Sequence, residues 1–483
     1  MPTPKQSTSN PHTKSLMRTQ STIRGSTHGL CRLQTPPNIP RGEIWRYGGG
    51  FPFQISSTKA AILANIHRKQ ARTEDFEMGA DVIVFDDLRH LIPDRAVEIS
   101  RIHREMNPKA NEMSDMVKQC PVGGFVPLGA KRADGSAHPH AGTGFGVAMA
   151  ISYAIDDGGL SKPYRGCFRG AQSHIYYELL QFAFDGTTFR ITQTDHVTID
   201  QLLPGQLYIN CPMTMAIPDG DDLLATAAVG LLGSSIENVM GDEAAGTSVV
   251  RWRRGVHGWR PVSCHPVAMD FVNFEPSLIR DVDGSLLCSM RPGYSAANKR
   301  DIIVWRSRDG AKSWERIIDV KNVRYQSPIT LNQAADGSPY IVCNHYVSAL
   351  MNYEGSFMDG FMRTTSREML CLWPLNSDRD GLLSPHIVSF PRYEYGPPPT
   401  YEGPLPDGEV TDPGQSNKGR DWTCDHPSAT TVRLADGRLH NLLCYRLLAQ
   451  AEVQGGIPPT PYSGLCIEEV ISDGPPKPEW SFE

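Results

Sequence analysis

The chain has 483 residues and a net charge of −6, and its 47 basic side chains are scattered rather than arranged in a stripe, which excludes nucleic acid as an expected partner. Glycine and proline number 44 and 38, more than an average composition supplies, so many turns are expected and long helices are not. No stretch reaches the 18 or so consecutive apolar residues of a membrane span, and we expect no membrane partner.

The N-terminal residues are rich in Ser, Thr and basic side chains and lack the apolar core of a secretory signal. We expect residues 1–28 to form a flexible tail and residues 29–483 to form one domain. The 11 cysteines include no CxxC pair, and several lie in apolar segments such as YIVCN, where a thiol behaves as a small buried hydrophobe. This favours a cytoplasmic location, or a secreted or periplasmic one if a signal has been removed.

The first predicted strands lie between about residues 29 and 120. The segments EIWRYGGGFPFQ, AAILANIH and ADVIVFDD are apolar and predict strands, whereas RAVEISRIHREM, residues 95–106, indicates a helix. This region therefore holds at least one sheet of its own, with a helix beside it.

From about residue 125 onward the chain repeats a unit made of a proline, a short strand, an Asp-Gly turn and a second apolar strand. Asp-Gly between apolar segments favours a hairpin, because glycine adopts positive φ without steric cost. Each unit is followed by a second hairpin, for example VVRWRRGVHGWRPV, and more weakly by the final LCIEEVISDGPPKPEWSF. The five Asp-Gly pairs begin at Asp134, Asp219, Asp283, Asp336 and Asp436.

Two successive hairpins make a four-stranded antiparallel blade, and blades bury their faces by packing around an axis. Five blades are visible, and the N-terminal region adds one or two. We predict an all-β, six- or seven-bladed β-propeller, with seven favoured because strands from both termini can close the ring. The Pro-rich residues 393–415 are expected to be a long surface insertion before the last blade.

The candidate functional residues lie where the first strand of each blade starts and the second strand ends, because these two positions share one rim of a propeller. Several repeats carry polar side chains there, whereas the blade after Asn210 carries the small residues Ala227 and Val229. We therefore predict a site at this rim, the mouth. Its predicted catalytic residues are Arg291, His345, Tyr346, His426 and Arg446, and its predicted substrate-binding residues are Glu275, Gln326 and Tyr445.

A looser repeat adds a second group of candidates. In SAHPHAGTG, His138 and His140 alternate and share one face if the segment is extended, and YRGCFRGAQSH supplies Arg165, Arg169 and His174. We predict His140 as catalytic and the others as substrate-binding. His-x-His can ligate a metal, but no further ligand has a matching spacing, so a divalent metal is compatible with the sequence and not predicted, and no cofactor is required. No GxSxG, Walker, HExxH or Rossmann motif is present.

The segment SRDGAKSW, residues 307–314, resembles the Asp-box S-x-D-x-G-x-T-W of sialidase-like (BNR-repeat) propellers. Ser307, Asp309, Ser313 and Trp314 match the motif, and Gly310 stands one position early. In those families the box lies on an outer hairpin turn and has a structural role. The resemblance implies the same place here, away from the mouth.

Over residues 29–480 the chain most resembles the L-rhamnose-α-1,4-D-glucuronate lyases and related rhamnosidase-type propellers. The phrases that carry this resemblance are GGFVPLGAKRADGSAHPHAGTGFG and REMLCLWPLNSDRDGL, together with the Asp-Gly repeats. It implies a carbohydrate-active enzyme that uses His with Arg or Tyr support. It also implies a uronic-acid-containing oligo- or polysaccharide as partner, and we expect a monomer or homodimer.

The residues at the predicted rim suit this chemistry. β-Elimination beside a uronic acid requires a base for the C5 proton, cations for the carboxylate and an acid at the leaving oxygen. Arg291 and Arg446 suit the carboxylate because a guanidinium binds both its oxygens, His345 or His426 suits the base, and a Tyr or His140 suits the acid. We predict a polysaccharide lyase that releases a terminal sugar such as L-rhamnose from 4-linked D-glucuronate.

Two alternatives stay open. The first is a sialidase-like or rhamnosidase-type glycoside hydrolase, for which Arg165 or Arg169 would supply a third arginine beside Glu275, although the nearest string to an FRIP motif is IPRGEIW at Ile39. The second is a non-catalytic propeller that binds glycans or proteins, which predicts a flat rim without a deep charged pocket.

Overall fold

The computed structural model describes residues 21–37, 45–68, 77–92, 95–103, 113–117, 122–154, 174–197, 208–209, 212–230, 245–293, 296–345, 367–399, 422–449, 451–452 and 460–482. These residues form six blades of antiparallel strands, and the predicted all-β propeller is confirmed. The preference for seven blades was wrong. No helix within the described ranges is long and apolar enough to cross a membrane.

The first three blades follow two short N-terminal strands. Strand β7 pairs with both β5 and β9 and so joins blades 1 and 2, and in blade 3 both β12 and β13 pair with β14. The strands are β1 (Ile23–Ser26) and β2 (Cys31–Leu33); β3 (Trp45–Gln54), β4 (Ala60–Arg68), β5 (Glu77–Phe85) and β6 (Glu98–His103) in blade 1; β7 (Met113–Val117); β8 (Val122–Val126), β9 (Thr143–Ala154), β10 (His174–Phe184) and β11 (Phe189–Val197) in blade 2; and β12 (Tyr208–Ile209), β13 (Ile217–Asp219), β14 (Asp222–Gly230), β15 (Ala245–Gly255) and β16 (Gly258–Ala268) in blade 3.

Of the last three blades, blades 4 and 5 have the regular order of two successive hairpins and blade 6 has three successive strands; one short helix, α1 (Pro391–Tyr395), follows blade 5. Their strands are β17 (Asn273–Arg280), β18 (Leu286–Pro292), β19 (Ile302–Ser307) and β20 (Glu315–Val320) in blade 4; β21 (Arg324–Gln333), β22 (Pro339–His345), β23 (Leu370–Pro374) and β24 (His386–Ser389) in blade 5; and β25 (Trp422–Arg433), β26 (Leu439–Ala449) and β27 (Gly464–Ser472) in blade 6.

The N-terminal strands complete blade 6. Strand β27 pairs with β1 through Ile23 and Ser472 and with β2 through Cys31 and Ile467. The final sequence segment is therefore not a hairpin of its own, and strands from both termini close a sixth blade instead of a seventh. The predicted tail of residues 1–28 overlaps β1, so a tail can extend only to the residues before Ile23.

The predicted helix at residues 95–106 is not a helix where the structure describes it. Residues 98–103 form β6, the outer strand of blade 1, in which Ile99 lies opposite Ile83 on β5. Ile99 and Ile102 are three positions apart, which imitates a helical pattern, but pairing with the neighbouring strand overrides this local preference. Of the predicted insertion at residues 393–415, residues 393–395 end α1, and residues 400–415 lie outside the described residues.

Each of the five Asp-Gly pairs forms the predicted tight turn, and together these turns define one end of the propeller, the turn end. Their glycines have φ between 64° and 86°. In four of them the Asp side chain accepts a hydrogen bond from a backbone N–H two residues later, as Asp283 Oδ1 does from Ser285 at 2.9 Å. The mouth lies at the opposite end.

The Asp-box occupies the turn between β19 and β20. Asp309 Oδ1 accepts hydrogen bonds from the backbone N–H groups of Lys312 (3.0 Å) and Ser313 (2.9 Å) and from the Ser307 hydroxyl (2.9 Å). Gly310 has a φ of 72°, so a glycine suits its position. Ala311, where the motif has its glycine, also has a positive φ, of 75°. The Ser313 hydroxyl, which donates to Asp309 Oδ2 at 2.6 Å, together with these bonds holds the pKa of Asp309 below its ordinary value. The box is a structural turn, as its resemblance implied.

A C-terminal segment, residues 473–482, crosses the turn end after β27; we call it the C-terminal strap. The Lys477 N–H donates to the Ala335 carbonyl in blade 5 at 2.6 Å, and Ser481 accepts from the Lys131 N–H in blade 2 at 2.9 Å. Trp480 is 8% exposed and packs edge-on against His138, with 6.1 Å between ring centroids. The strap therefore ties blades 2, 5 and 6 together.

Candidate active site

The mouth is marked by an irregularity that recurs near the start of the first strand in blade 1, between Tyr47 and Gly50, and in each of the last three blades. The strand register shifts between Phe274 and Ser277, between Arg324 and Ile329, and between Asp425 and Ser428. Bulges of this kind redirect side chains and are common beside active sites. The residues paired with these starts, at the ends of the second strands, are Arg291, His345 and Arg446.

Two residues inside these bulges have a backbone conformation that is unfavourable for them. Glu275 and His426 both have a φ of 52°, and each directly precedes a proline. A left-handed conformation costs a non-glycine residue roughly 1–2 kcal/mol. Such strain is typically retained at functional sites, where the surrounding structure enforces it. Its occurrence at equivalent positions of blades 4 and 6 points to this rim.

Asp425 is the centre of a buried charge cluster in blade 6. Its side chain is fully buried and accepts from Arg446 Nε at 2.8 Å, from Arg367 Nη1 at 2.6 Å, and from His426 Nδ1 at 3.1 Å. Burial alone would raise the pKa of the Asp425 carboxyl, but Arg446, His426 and Arg367 together hold it well below its ordinary value. Asp425 is therefore a permanent anion at neutral pH that fixes the ring of His426.

Blade 4 carries a second buried ion pair at the equivalent place. Arg291 Nη1 donates to Glu275 Oε2 at 2.8 Å, and the two residues are 3% and 8% exposed. The Arg291 guanidinium also lies 4.8 Å from the centroid of the Phe274 ring. The strained backbone of Glu275 and the stacked guanidinium keep this pair in one geometry.

Blade 5 contributes a cation that the sequence reasoning missed. Arg324 is fully buried and donates to the carbonyl oxygens of Asp301, Tyr325 and Ser327 at 2.8–2.9 Å. Burial, with the charge of Arg291 adding to it, lowers the pKa of Arg324 to about 10, so this guanidinium is still charged at neutral pH. Comparison of the repeats by their prolines missed Arg324, because the bulge of blade 5 is longer than those of blades 4 and 6.

Two further features belong to the mouth. His345, paired with Arg324, is 8% exposed and stacks on Trp373 with 5.2 Å between ring centroids. Blade 1 places Gly49 against His426, and a Cβ on Gly49 would lie 3.5 Å from that of His426. We call the following residues the mouth cluster: Glu275, Arg291, Arg324, His345, Arg367, Asp425, His426 and Arg446.

Three predicted site residues lie elsewhere. His138 and His140 are at the turn end, where His138 Nε2 is 3.2 Å from the Gly220 carbonyl and the His140 ring packs against Trp259, because the segment that carries them is the inner turn of blade 2. Burial lowers the pKa of His140. Tyr445 is 3% exposed in the core, where its hydroxyl donates to Glu468, since its side chain alternates with that of Arg446. Placing these three at the mouth was wrong.

The remaining predicted residues are not described, or only their backbone is. Tyr346, Arg165 and Arg169 lie outside the described residues. His174 is the first residue of β10 and pairs with Ser152, and Gln326 lies in the bulge of β21. In the described part of the chain, no group of three or more His, Cys, Asp or Glu side chains is arranged to hold a metal ion.

The chain matches no protein-family model and no curated protein sequence. Several solved structures resemble it at low identity over most of its length. A protein of unknown function from Dyadobacter fermentans is 13% identical with a TM-score of 0.47, over 93% of this chain and 99% of the other. Trypanosoma rangeli sialidase is 11% identical with a TM-score of 0.48, over 92% of this chain. Penicillium chrysogenum α-L-arabinanase is 8% identical with a TM-score of 0.41, over 92% of this chain and 98% of the other.

This chain spans 57% of the length of the sialidase chain. Identities this low transfer no residue role from one protein to the other. The class that the structure itself shows is a six-bladed β-propeller with a charged cluster at one end. The chemistry is inferred from that cluster.

Proposed function

We propose that this protein is a carbohydrate-active enzyme that cleaves a glycosidic bond beside the carboxylate of an acidic sugar, with His426 as the group that transfers the proton. The observation that carries the proposal is the Asp425–His426 pair, in which a buried, permanently ionised carboxylate holds Nδ1 of a histidine whose side chain is 24% exposed.

The pair gives His426 the state that a general base requires. When Nδ1–H donates to Asp425, Nε2 is the unprotonated nitrogen and can accept a proton from a substrate. The carboxylate also stabilises the imidazolium that forms when the proton arrives, as in other His–Asp arrangements. The positive φ of His426 and the buried Asp425 carboxylate at its Nδ1 are not needed for packing alone.

The arginines of the cluster suit an anionic substrate. Among the described residues, the mouth cluster holds Arg291, Arg324, Arg367 and Arg446 beside two carboxylates. Guanidinium groups in a poorly solvated site bind carboxylates strongly and with defined geometry. A uronic acid supplies that carboxylate, and its binding lowers the energy of the carbanion-like state that forms when C5 loses its proton.

β-Elimination from a 4-linked uronate is the reaction we assign first. His426 would take the C5 proton, a double bond would form between C4 and C5, and the C4–O bond would break and release the attached sugar, such as L-rhamnose. The Tyr445 hydroxyl is buried in the core against Glu468 and His140 lies at the turn end, so Tyr346, next to His345 in the sequence, stays the predicted donor.

Hydrolysis is the second candidate, and Glu275 is the observation that favours it. Together with Asp425 it supplies a second carboxylate to the mouth cluster, and most glycosidases use a pair of carboxylates. In that reaction the ionised Asp425 would act as base or nucleophile and Glu275 would have to act as the acid, although Arg291 donates a hydrogen bond to Glu275 at 2.8 Å.

The test uses the full chain with a rhamnose-capped glucuronan and, separately, a sialoside panel. The expected result is release of sugar with ultraviolet absorbance from the unsaturated uronate, and a loss of at least about 10²-fold in turnover in His426→Asn. The exposed His257 provides the matched control, since His257→Asn should behave as wild type.

Sugar release without that absorbance would replace elimination by hydrolysis. Binding without any release would favour the non-catalytic propeller. Normal turnover in His426→Asn would overturn the assignment of the base.

A further inference from the structure

An aromatic group lies at the mouth side of blades 5 and 6 but outside the mouth cluster. The rings of Tyr395, in α1, and Tyr462, just before β27, stack with 4.3 Å between centroids and 12° between planes. Trp422 meets both rings edge-on at 6.3 Å, and the Arg32 guanidinium lies 5.1 Å from the centroid of Tyr395. We call Arg32, Tyr395, Trp422 and Tyr462 the aromatic platform.

The platform has a rigid base and an accessible surface. Trp422 is 1% exposed and its Nε1 donates to the Gly396 carbonyl at 2.9 Å, while Arg32 Nη2 donates to the Tyr395 hydroxyl at 2.6 Å. Tyr462, in contrast, is 37% exposed. Stacked tyrosines present a large flat surface at a low cost in side-chain entropy, because their rings are already fixed by their neighbours.

The platform also carries a positive charge that no carboxylate of the described residues neutralises. Arg32 makes its polar contact with Tyr395, and its Nε is buried without a hydrogen-bond partner in the structure. The hydrogen bond from Arg32 and the aromatic faces hold the guanidinium in place. An acidic ligand would be attracted to such a surface and a basic one repelled.

A continuous set of contacts joins the platform to the mouth cluster. Trp422 precedes Asp425 by three residues on β25, which corresponds to about 10 Å along a strand. Glu368 accepts from the Trp422 N–H at 3.1 Å and from Arg392 of α1 at 2.8 Å, and the preceding residue, Arg367, is bonded to Asp425. The platform and the proposed base are thus held at a fixed separation.

We propose that the aromatic platform is a second sugar-binding subsite, in which a sugar ring of the same acidic glycan that is bound at the mouth stacks on Tyr462. This inference rests on the proposed function. A sugar ring offers an apolar C–H face to the tyrosine and hydroxyls to the surrounding polar groups, which matches a flat aromatic surface beside a cation. We expect a tetrasaccharide to occupy both the mouth and the platform, and a disaccharide to occupy the mouth alone.

The experiment measures binding rather than turnover, with the full-length His426→Asn protein so that the ligand stays intact. Dissociation constants are determined by calorimetry for a glucuronate-containing tetrasaccharide and for the corresponding disaccharide. Adding Tyr462→Ala should weaken tetrasaccharide binding about tenfold and leave disaccharide binding unchanged. Tyr462→Phe, which keeps the ring, should bind both ligands normally, and so should Tyr393→Ala, which removes a tyrosine that is 82% exposed on the same helix.

The outcomes separate this inference from the proposed function. Normal tetrasaccharide binding in Tyr462→Ala, or an equal loss for both ligands, overturns the subsite and leaves the proposed function standing. No binding of either ligand to the protein that retains Tyr462 overturns the proposed function and the subsite with it.

Discussion

Both ends of the propeller contain backbone at positive φ, but on different kinds of residue. At the turn end, the chain reverses through glycines at positive φ, and the neighbouring aspartates bond to the backbone of their own turns. At the mouth, positive φ falls on Glu275 and His426, which carry charge or a titratable ring. The Asp-Gly turns are held by local bonds, whereas Glu275 and His426 are held by buried ion pairs. Positive φ on non-glycine residues is not confined to the mouth, since Ala311 and Arg379 in outer turns also have it.

Two ion pairs, one from each end, differ in burial. At the mouth, Arg446 and Asp425 have side chains that are 2% and 0% exposed. At the turn end, Arg132 and Asp221 pair at 2.6 Å with side chains that are 39% and 42% exposed. Removing one member of a buried pair leaves an uncompensated charge in a low-dielectric environment, whereas water replaces the missing partner of an exposed pair.

The largest effect is therefore expected from Asp425→Asn. It should lower the free energy of unfolding by about 3–5 kcal/mol, because Arg446 stays buried without its counter-charge. It should also lower turnover, since His426 loses the group that orients it. Denaturant unfolding and initial rates measure the two effects.

Asp221→Asn is the matched control at the turn end and should change stability little. Equal losses of unfolding free energy in Asp425→Asn and Asp221→Asn would contradict the greater contribution assigned to the buried pair.

The next effect is expected in the C-terminal strap. Trp480→Ala should lower the free energy of unfolding by about 3 kcal/mol, because it removes a large, nearly buried side chain that packs on His138. Trp480→Phe should lose less, since an aromatic contact stays. Turnover per folded molecule should be unchanged, and a clear fall in turnover would contradict the separation of the two ends.

A smaller effect is expected for a turn glycine. Gly284 has a φ of 86° and no neighbour that a Cβ would meet, so Gly284→Ala tests the backbone conformation alone. We expect a loss of about 1 kcal/mol in thermal unfolding experiments. Gly255→Ala is the control, because Gly255 also has open space but no positive φ, and it should be neutral or slightly stabilising.

The last prediction concerns pH. His440, at the turn end, lies between Glu469 (2.9 Å from Nδ1) and Asp436 (3.3 Å from Nε2), and these carboxylates raise its pKa above the ordinary 6.5. A raised pKa in the folded state means that the stabilisation is fully present below about pH 6.5 and is lost as the pH rises through the folded value. Melting temperatures of His440→Gln should lack this decline, and an unchanged pH profile would contradict the assignment.

Much of the fold is predictable because its signals are local. Asp283-Gly284 and its counterparts mark turns by their own conformational preferences, and SRDGAKSW forms its turn from hydrogen bonds within eight residues. The pairing of Arg291, His345 and Arg446 with the bulged strand starts also follows from the repeat. Residues 98–103 were mistaken for a helix because the spacing of two isoleucines is local, while the pairing with β5 that decides their structure is not.

The sequence by itself determined the blade as a unit, the class of fold and one end of the strands as the place of the polar residues, because turns and strand periodicity are encoded over a few residues. Only the tertiary structure decided the number of blades, since β1 and β2 reach β27 across the whole chain. It also decided the membership of the mouth: Arg324 and Arg367 join the cluster, and His138, His140 and Tyr445 leave it. Ion pairs such as Arg367–Asp425 form between residues that are distant in the sequence, so no local pattern predicts them.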